Sequence, residues 1–146
     1  MAQAFSAEQV AGLLPHRGHA LFVASVEVDG DTVRGECVWQ REHPHLDGHF
    51  PQMPIVPGVF LIEAGAQLAG VLIAARHPGE RGLGMLAGVR RTLVHRPVLP
   101  GDRIHFELDV RANPGGMFDA KGTGRFADGG KAVTLDLMVA VRAPAD

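Results

Sequence analysis

His49 stands in the loop HFPQMPIVPG, and Glu63 follows in VFLIEAGAQLAG, a run with almost no other polar side chain. An imidazole and a carboxyl group kept from water are the two parts needed to move protons on and off carbon and oxygen near neutral pH. A neutral imidazole can take a proton from carbon if an electron sink lies beside it. A carboxyl group in apolar surroundings tends to keep its proton and can give it to a departing hydroxyl. Pro57-Gly58 would open a helix between the two. The first N–H groups of a helix have no partner inside it, and the macrodipole favours negative charge there. The Gly58 amide could therefore polarise a carbonyl as an oxyanion hole does, and glycine leaves room for a ligand to reach the backbone.

Each of these residues also has a plainer reading. Glu63 could point at solvent or form a structural pair with an arginine, and His49 could be an ordinary surface residue. Between Val59 and Ala75 only Glu63 and Gln67 carry polar side chains, which speaks against a solvent-facing helix. Their i, i+4 spacing puts them on one face. Phe50 could anchor the loop while Pro51, Pro54 and Pro57 restrict its backbone, holding the imidazole at a fixed distance from the helix start.

Other chemistries find less support. His43, His45 and His49 form H-x-H-x3-H around Asp47, but a loose loop cluster without a helical i, i+4 pair is a weak metal signal. No metal is expected. The single cysteine, Cys37, excludes an internal disulfide and a cysteine-based zinc site, and its strand-like context makes it a core residue. Ser25, Thr92 and Thr123 lack a nucleophile-elbow context. The chain has 146 residues, 46% apolar and 21% charged, which fits one domain spanning 1–146. A net charge of -2 without like-charge runs gives no nucleic-acid surface. MAQAFSAEQV has neither a basic n-region nor an apolar h-region, so no secretory signal is expected and the cytoplasm is the expected location.

The elements that must position the pair can be read coarsely. Ser6 and Gln9 form a capping box for a short helix ending near Leu14-Pro15. Residues 20–28 and 32–40 flank Asp29-Gly30-Asp31 as a hairpin. Residues 41–58 form a loop, and a helix covers about 58–76 before His77-Pro78-Gly79. Strand-like runs follow at 83–89, 92–98, 103–112, 117–126 and 132–142. The class is α+β, with one helix against a mostly antiparallel sheet. A helix apolar all round must be covered on every side. Glu63, Gly65 and Gly70 argue against a membrane span, and the small residues Ala64, Gly65, Ala66, Ala69 and Gly70 would let a sheet approach closely.

The run HFPQMPIVPGVFLIEAGAQLAG closely resembles the signature of the 3-hydroxyacyl-(acyl-carrier-protein) dehydratases of FabZ type. Leu14-Pro15-His16-Arg17 and LAGVRRTLVHRPVLPGD at 86–102 are similar to further stretches of that family, so the resemblance covers roughly 10–142. It implies a hot-dog fold, an antiparallel sheet wrapped around one long central helix. It implies a homodimer, alone or as a trimer of dimers, with His49 of one subunit facing Glu63 of the other. His49 would take the C2 proton of a (3R)-3-hydroxyacyl thioester and Glu63 would protonate the leaving hydroxyl, giving a trans-2-enoyl thioester and water. The Gly58 amide would bind the thioester carbonyl and the Val59 carbonyl would orient the histidine. Phe50, Pro57 and Gln67 would complete the substrate site.

The same resemblance implies a substrate carried on the phosphopantetheine of an acyl carrier protein, in fatty-acid or polyketide/polyene biosynthesis, with no other cofactor and no membrane partner. Arg90, Arg91 and Arg96 are candidates for docking that acidic carrier, against the reading of ordinary solvated arginines. The isomerase branch of the family has Asp at the helix position, so Glu63 implies dehydration without isomerisation. The Asp-x4-His pattern of the hydratase branch is not met, since Pro44 occupies the place of its aspartate. Departures fall at Gly18–Ser25, at His45-Leu46 and in the lack of any tyrosine, all of which bear on the acyl tunnel and assembly. The alternatives are a hot-dog acyl thioesterase and a non-catalytic subunit of a heteromeric dehydratase.

Overall fold

The chain folds around its most apolar helix. In the computed structural model, which describes residues 2–46, 52–77 and 83–142, that helix is α2, Gly58–Arg76. On length and composition alone it could cross a membrane. Here that apolarity is accounted for by protein: Leu61, Ala64, Gly65, Leu68, Ala69, Val71, Leu72 and Ile73 are all buried. Pro57 stands just outside the helix as its N-cap, one position earlier than a first-turn proline. The helix stops at His77, ahead of the Pro-Gly pair that cannot continue it.

Seven strands pair antiparallel in the order β1-β2-β3-β5-β6-β7-β4. They are β1 (Ala2–Phe5), β2 (Val26–Asp29), β3 (Thr32–Cys37), β4 (Leu83–Val94), β5 (Ile104–Asn113), β6 (Met117–Arg125) and β7 (Lys131–Arg142). A capped helix α1 (Ala7–Leu13) joins β1 to β2. Alternation explains the sheet's inner face, with Ile104, Phe106, Leu108 and Val110 of β5 buried and their neighbours exposed. Strands β2 through β7 all touch α2. Gly65 shows how close that packing is, since a Cβ there would stand 2.6 Å from Leu135 Cδ1 of β7.

The structure departs from the sequence reading in four places. β1 is an added edge strand; three of its four residues are exposed, so it has no hydrophobic alternation to read. The first hairpin strand starts at Val26 rather than at 20, because the Ala20 carbonyl and Phe22 N–H are taken by the Gln67 side chain. The second ends at Cys37, beside Ile104 where β5 begins. The runs at 83–89 and 92–98 are one strand up to Val94, kinked by irregularities at Leu86/Gly88 and Val89/Arg91. The apparent break at Arg90-Arg91 is tolerated because Arg90 finds Asp119 and Asp136 on the neighbouring strands.

Candidate active site

Glu63 lies one turn into α2, on the stripe that carries Val59, Gln67 and Gly70. Its carboxylate Oε1 accepts a hydrogen bond from Gln67 Nε2 at 3.1 Å and stands 3.2 Å from His16 Nε2. Gln67 is 1% exposed, and its Oε1 accepts from the Phe22 N–H at 2.8 Å while Nε2 donates to the Ala20 carbonyl at 2.7 Å. One buried amide thus ties the 18–22 segment to the helix and aims its remaining N–H at Glu63. Arg17 stiffens the same segment by donating to the carbonyls of Leu14 and His16, each at 2.7 Å. Leu14 lies close over Gly70, where a Cβ would come within 3.0 Å of its Cδ2.

These residues wall a cleft of about 200 Å³ between α2 and the β4 edge, lined by His16, Glu63, Ala66, Gln67, Gly84, Met85, Leu86 and Val139. Its lining sets the polar side chains of His16, Glu63 and Gln67 among the apolar Ala66, Met85, Leu86 and Val139. Glu63 is less withdrawn than its sequence neighbours suggest, with its side chain 36% exposed in the single chain. The physical reason is position: at this end of α2 the chain's own cover runs out, and Val59, one turn earlier, is 67% exposed. Gly58 opens the helix beside Val94, so its amide sits where helical N–H groups lack internal partners.

His49 and Phe50 lie outside the described residues, as does Asp47, so the expected imidazole-carboxyl geometry is not on view. The loop before them is anchored by rings. Phe60 of α2 packs on Phe22 at 4.9 Å and on His43 at 5.2 Å, with Trp39 buried alongside. After the loop, the Val56 N–H donates to the Val98 carbonyl at 2.8 Å and Pro57 leads into α2. The described residues on either side of this stretch, His43 before it and Val56 after it, are therefore held against the core.

His43 does not stand free as a ligand. Its Nδ1 accepts from the His45 N–H at 3.3 Å and its Nε2 faces the His19 carbonyl at 3.2 Å. Among the described residues no cluster of three His, Cys, Asp or Glu side chains could hold a metal ion. Cys37 is 1% exposed, and burial followed by the charge of Glu36 pushes its thiol up to about 12, so it has no nucleophilic character at neutral pH. The three docking arginines differ. Arg90 pairs with Asp119 at 2.6 Å, which raises its guanidinium above the usual range. Arg96 pairs with Asp128 at 3.0 Å and lies over the Phe126 ring. Arg91 is exposed and has no ion pair among the described residues.

Sequence reasoning assigned no role to His16 or to the rings of Phe22, Trp39 and Phe60. The signal for His16 was its place in Leu14-Pro15-His16-Arg17, directly after the capped helix; nothing local showed that it would meet Glu63.

The comparisons with known proteins bear on this geometry. A FabA-like domain model matches residues 14–135. Over 116 residues the chain is 39% identical to the 3-hydroxyacyl-(acyl-carrier-protein) dehydratase FabZ of Agrobacterium fabrum, covering 75% of this chain and 73% of that protein. The FabZ of Sinorhizobium medicae is 36% identical over 124 residues, 81% of this chain and 80% of that one. Among solved structures, a chain of the dehydratase heterocomplex ApeI:P from Xenorhabdus doucetiae superposes with a TM-score of 0.73 at 22% identity, over 91% of this chain and 90% of that one. At that identity the likeness concerns the fold, a seven-stranded sheet around one helix.

Proposed function

This chain belongs to the FabZ-type 3-hydroxyacyl-(acyl-carrier-protein) dehydratase family, and on that premise we propose that it is a hydro-lyase. It converts a (3R)-3-hydroxyacyl thioester into the trans-2-enoyl thioester and water. The observation that carries the reading is Glu63, fixed by Gln67 in the wall of a cleft between α2 and β4, in a chain matched along most of its length by such dehydratases. In this reading His49 removes the C2 proton and the Gly58 N–H steadies the enolate-like oxygen. Glu63 gives its proton to the leaving hydroxyl. The acyl group arrives on the phosphopantetheine of an acyl carrier protein, and the reaction needs no metal or redox cofactor. Arg91 is the candidate carrier contact, since Arg90 and Arg96 are already paired. The cytoplasm, where such carriers work, is the proposed location.

The site is shared between two copies. β4 is an edge strand whose Met85, Leu86, Val89, Leu93 and Val94 are each at least 40% exposed. A long apolar edge of this kind invites pairing with another chain. A second copy of this chain on that edge would cover Val59 and Glu63 and bring its own His49 toward the cleft.

Incubation with a 3-hydroxyacyl carrier protein tests the reaction: enoyl product supports it, and release of free acid points instead to a thioesterase. His49→Ala and Glu63→Gln should each stop turnover with the fold intact. Mixed under subunit exchange, the two inactive variants should recover about a quarter of the wild-type rate, because half of the dimers then carry one intact site of two. No recovery would refute the shared site. Inactivity of the purified wild-type chain, relieved by a second dehydratase subunit, would mark it as part of a heteromer.

A further inference from the structure

His16 belongs to none of the roles assigned so far, yet it touches the group on which the chemistry rests. The hydrogen bonds of Gln67 leave little freedom at Glu63. The Phe22 N–H can only donate and the Ala20 carbonyl can only accept, so the Gln67 amide has one permitted orientation. Its Nε2 therefore presents a donor to Glu63, and Oε1 must accept it. His16 Nε2 approaches that same oxygen at 3.2 Å. Its Nδ1 is buried and has no partner among the described residues. A hydrogen on Nδ1 would be a buried donor without an acceptor, whereas a hydrogen on Nε2 meets a carboxyl oxygen. The neutral Nε2–H ring is the form that suits both nitrogens.

We infer that His16 is a positioning residue for Glu63: with Gln67 it fixes Oε1 as the acceptor oxygen, so the reactive proton is carried on Oε2. This rests on the dehydratase reading, in which Glu63 is the acid. In the step itself, the Oε2 proton passes to the 3-hydroxyl as the C3–O bond breaks, and the electrons of that bond leave with the oxygen as water. The C2–H pair becomes the C2–C3 double bond, and the C2 proton goes to the base. Glu63 ends the step as a carboxylate, and donors grip a carboxylate more strongly than an acid. Two donors at Oε1 thus favour the charge that develops during reaction, besides holding the group in place. The neighbouring structure keeps His16 there: Arg17 bonds the Leu14 and His16 carbonyls, and Leu14 rests on Gly70.

Two measurements test this. In 15N-histidine NMR of the whole protein, His16 should show the neutral Nε2–H tautomer, and Glu63→Ala should shift its ring signals. An Nδ1–H tautomer, or signals indifferent to Glu63→Ala, would overturn the inference. In steady-state kinetics, His16→Leu should lower kcat on the order of 10- to 100-fold while KM changes by less than about threefold. His16→Gln places an amide N–H near the position of imidazole Nε2 and should restore kcat to within about fivefold of wild type. His16→Asn, whose N–H falls short, should stay as slow as His16→Leu. If His16→Leu is as fast as wild type, or if His16→Gln is as slow as His16→Asn at equal melting temperature, His16 is only part of the wall. Should His16→Leu fail to fold, the Gln and Asn pair decides the matter. A wild-type enzyme giving no enoyl product would count against the dehydratase reading itself, while the NMR result still decides the contact.

Discussion

A carboxyl group on an apolar helix depends on whatever donors the rest of the chain can bring to it, and at Glu63 one comes from the same helix and one from far away in sequence. Gln67 was legible because i, i+4 spacing is a local fact. The approach of His16 was not, since it depends on how the 14–22 segment is laid across α2 by Leu14, Arg17 and Gln67 together. Other residues behave as their surroundings dictate. With its thiol pushed up to about 12 by burial, Cys37 should resist iodoacetamide in the folded protein at pH 7 and react fully in denaturant, as mass spectrometry of the labelled chain would reveal. Asp119 offers the opposite case. Hydrogen bonds from Asn113 first and Arg90 second hold its carboxyl below the ordinary 3.8. A depressed native value means stability that is present above the unfolded value and lost as pH falls through the native one. Asp119→Asn should therefore lower the melting temperature at pH 5 to 7 and converge with wild type in more acidic buffer; a gap that widens toward acid would contradict the pairing.

At the scale of elements, the long helix and the later strands were readable because periodicity and turn chemistry agree. The Asp29-Gly30 hairpin, the Asn113-Pro114-Gly115-Gly116 turn and the Asp128-Gly129-Gly130 turn all fall where glycine supplies positive φ, at Gly30, Gly115, Gly116 and Gly129. What could not be read was where pairing stops. Residues 20–25 look β-prone, but a side chain from α2 claims their backbone. Two close approaches carry different costs. A Cβ at Gly65 would meet the ends of Leu135 and Leu137, side chains that can shift a little, and alanine favours the helix interior. A Cβ at Gly122 of β6 would instead stand 1.9 Å from the Glu107 carbonyl oxygen of β5, and backbone in a paired sheet cannot yield. Gly65→Ala should cost about 1–2 kcal/mol of unfolding free energy. Gly122→Ala should cost more than about 3 kcal/mol or prevent folding. Urea melts of both variants check the order, and a Gly122→Ala protein as stable as Gly65→Ala would mean that β5 and β6 do not approach as described.

The whole molecule is where the sequence was least explicit and the fold most informative. β4 follows α2 in the chain yet lies at the far edge of the sheet, with β7 as its single neighbour among the described strands. Leu86, Val89 and Val94 sit opposite the buried Val139, Leu137 and Val133, so they share the core-facing side of the sheet while remaining 40–49% exposed. The core thus continues past the end of its own cover, at the place where Glu63 and Val59 also lose theirs. A monomer in water would leave this stripe open beside Glu63, and contact with water weakens every electrostatic interaction there. In the shared-site reading, pairing of two β4 edges closes both cores and both clefts at once. Val89→Glu places a charge in the middle of that stripe, away from Glu63 and from the α2 amides. It should convert the protein to monomer at micromolar concentration in sedimentation velocity and lower the dehydration rate in proportion to the dimer lost. Raising protein concentration should recover both together, because assembly and activity are then one equilibrium. A Val89→Glu protein that stays dimeric and active would remove β4 as the interface, and one that is monomeric yet fully active would remove the second subunit from the chemistry.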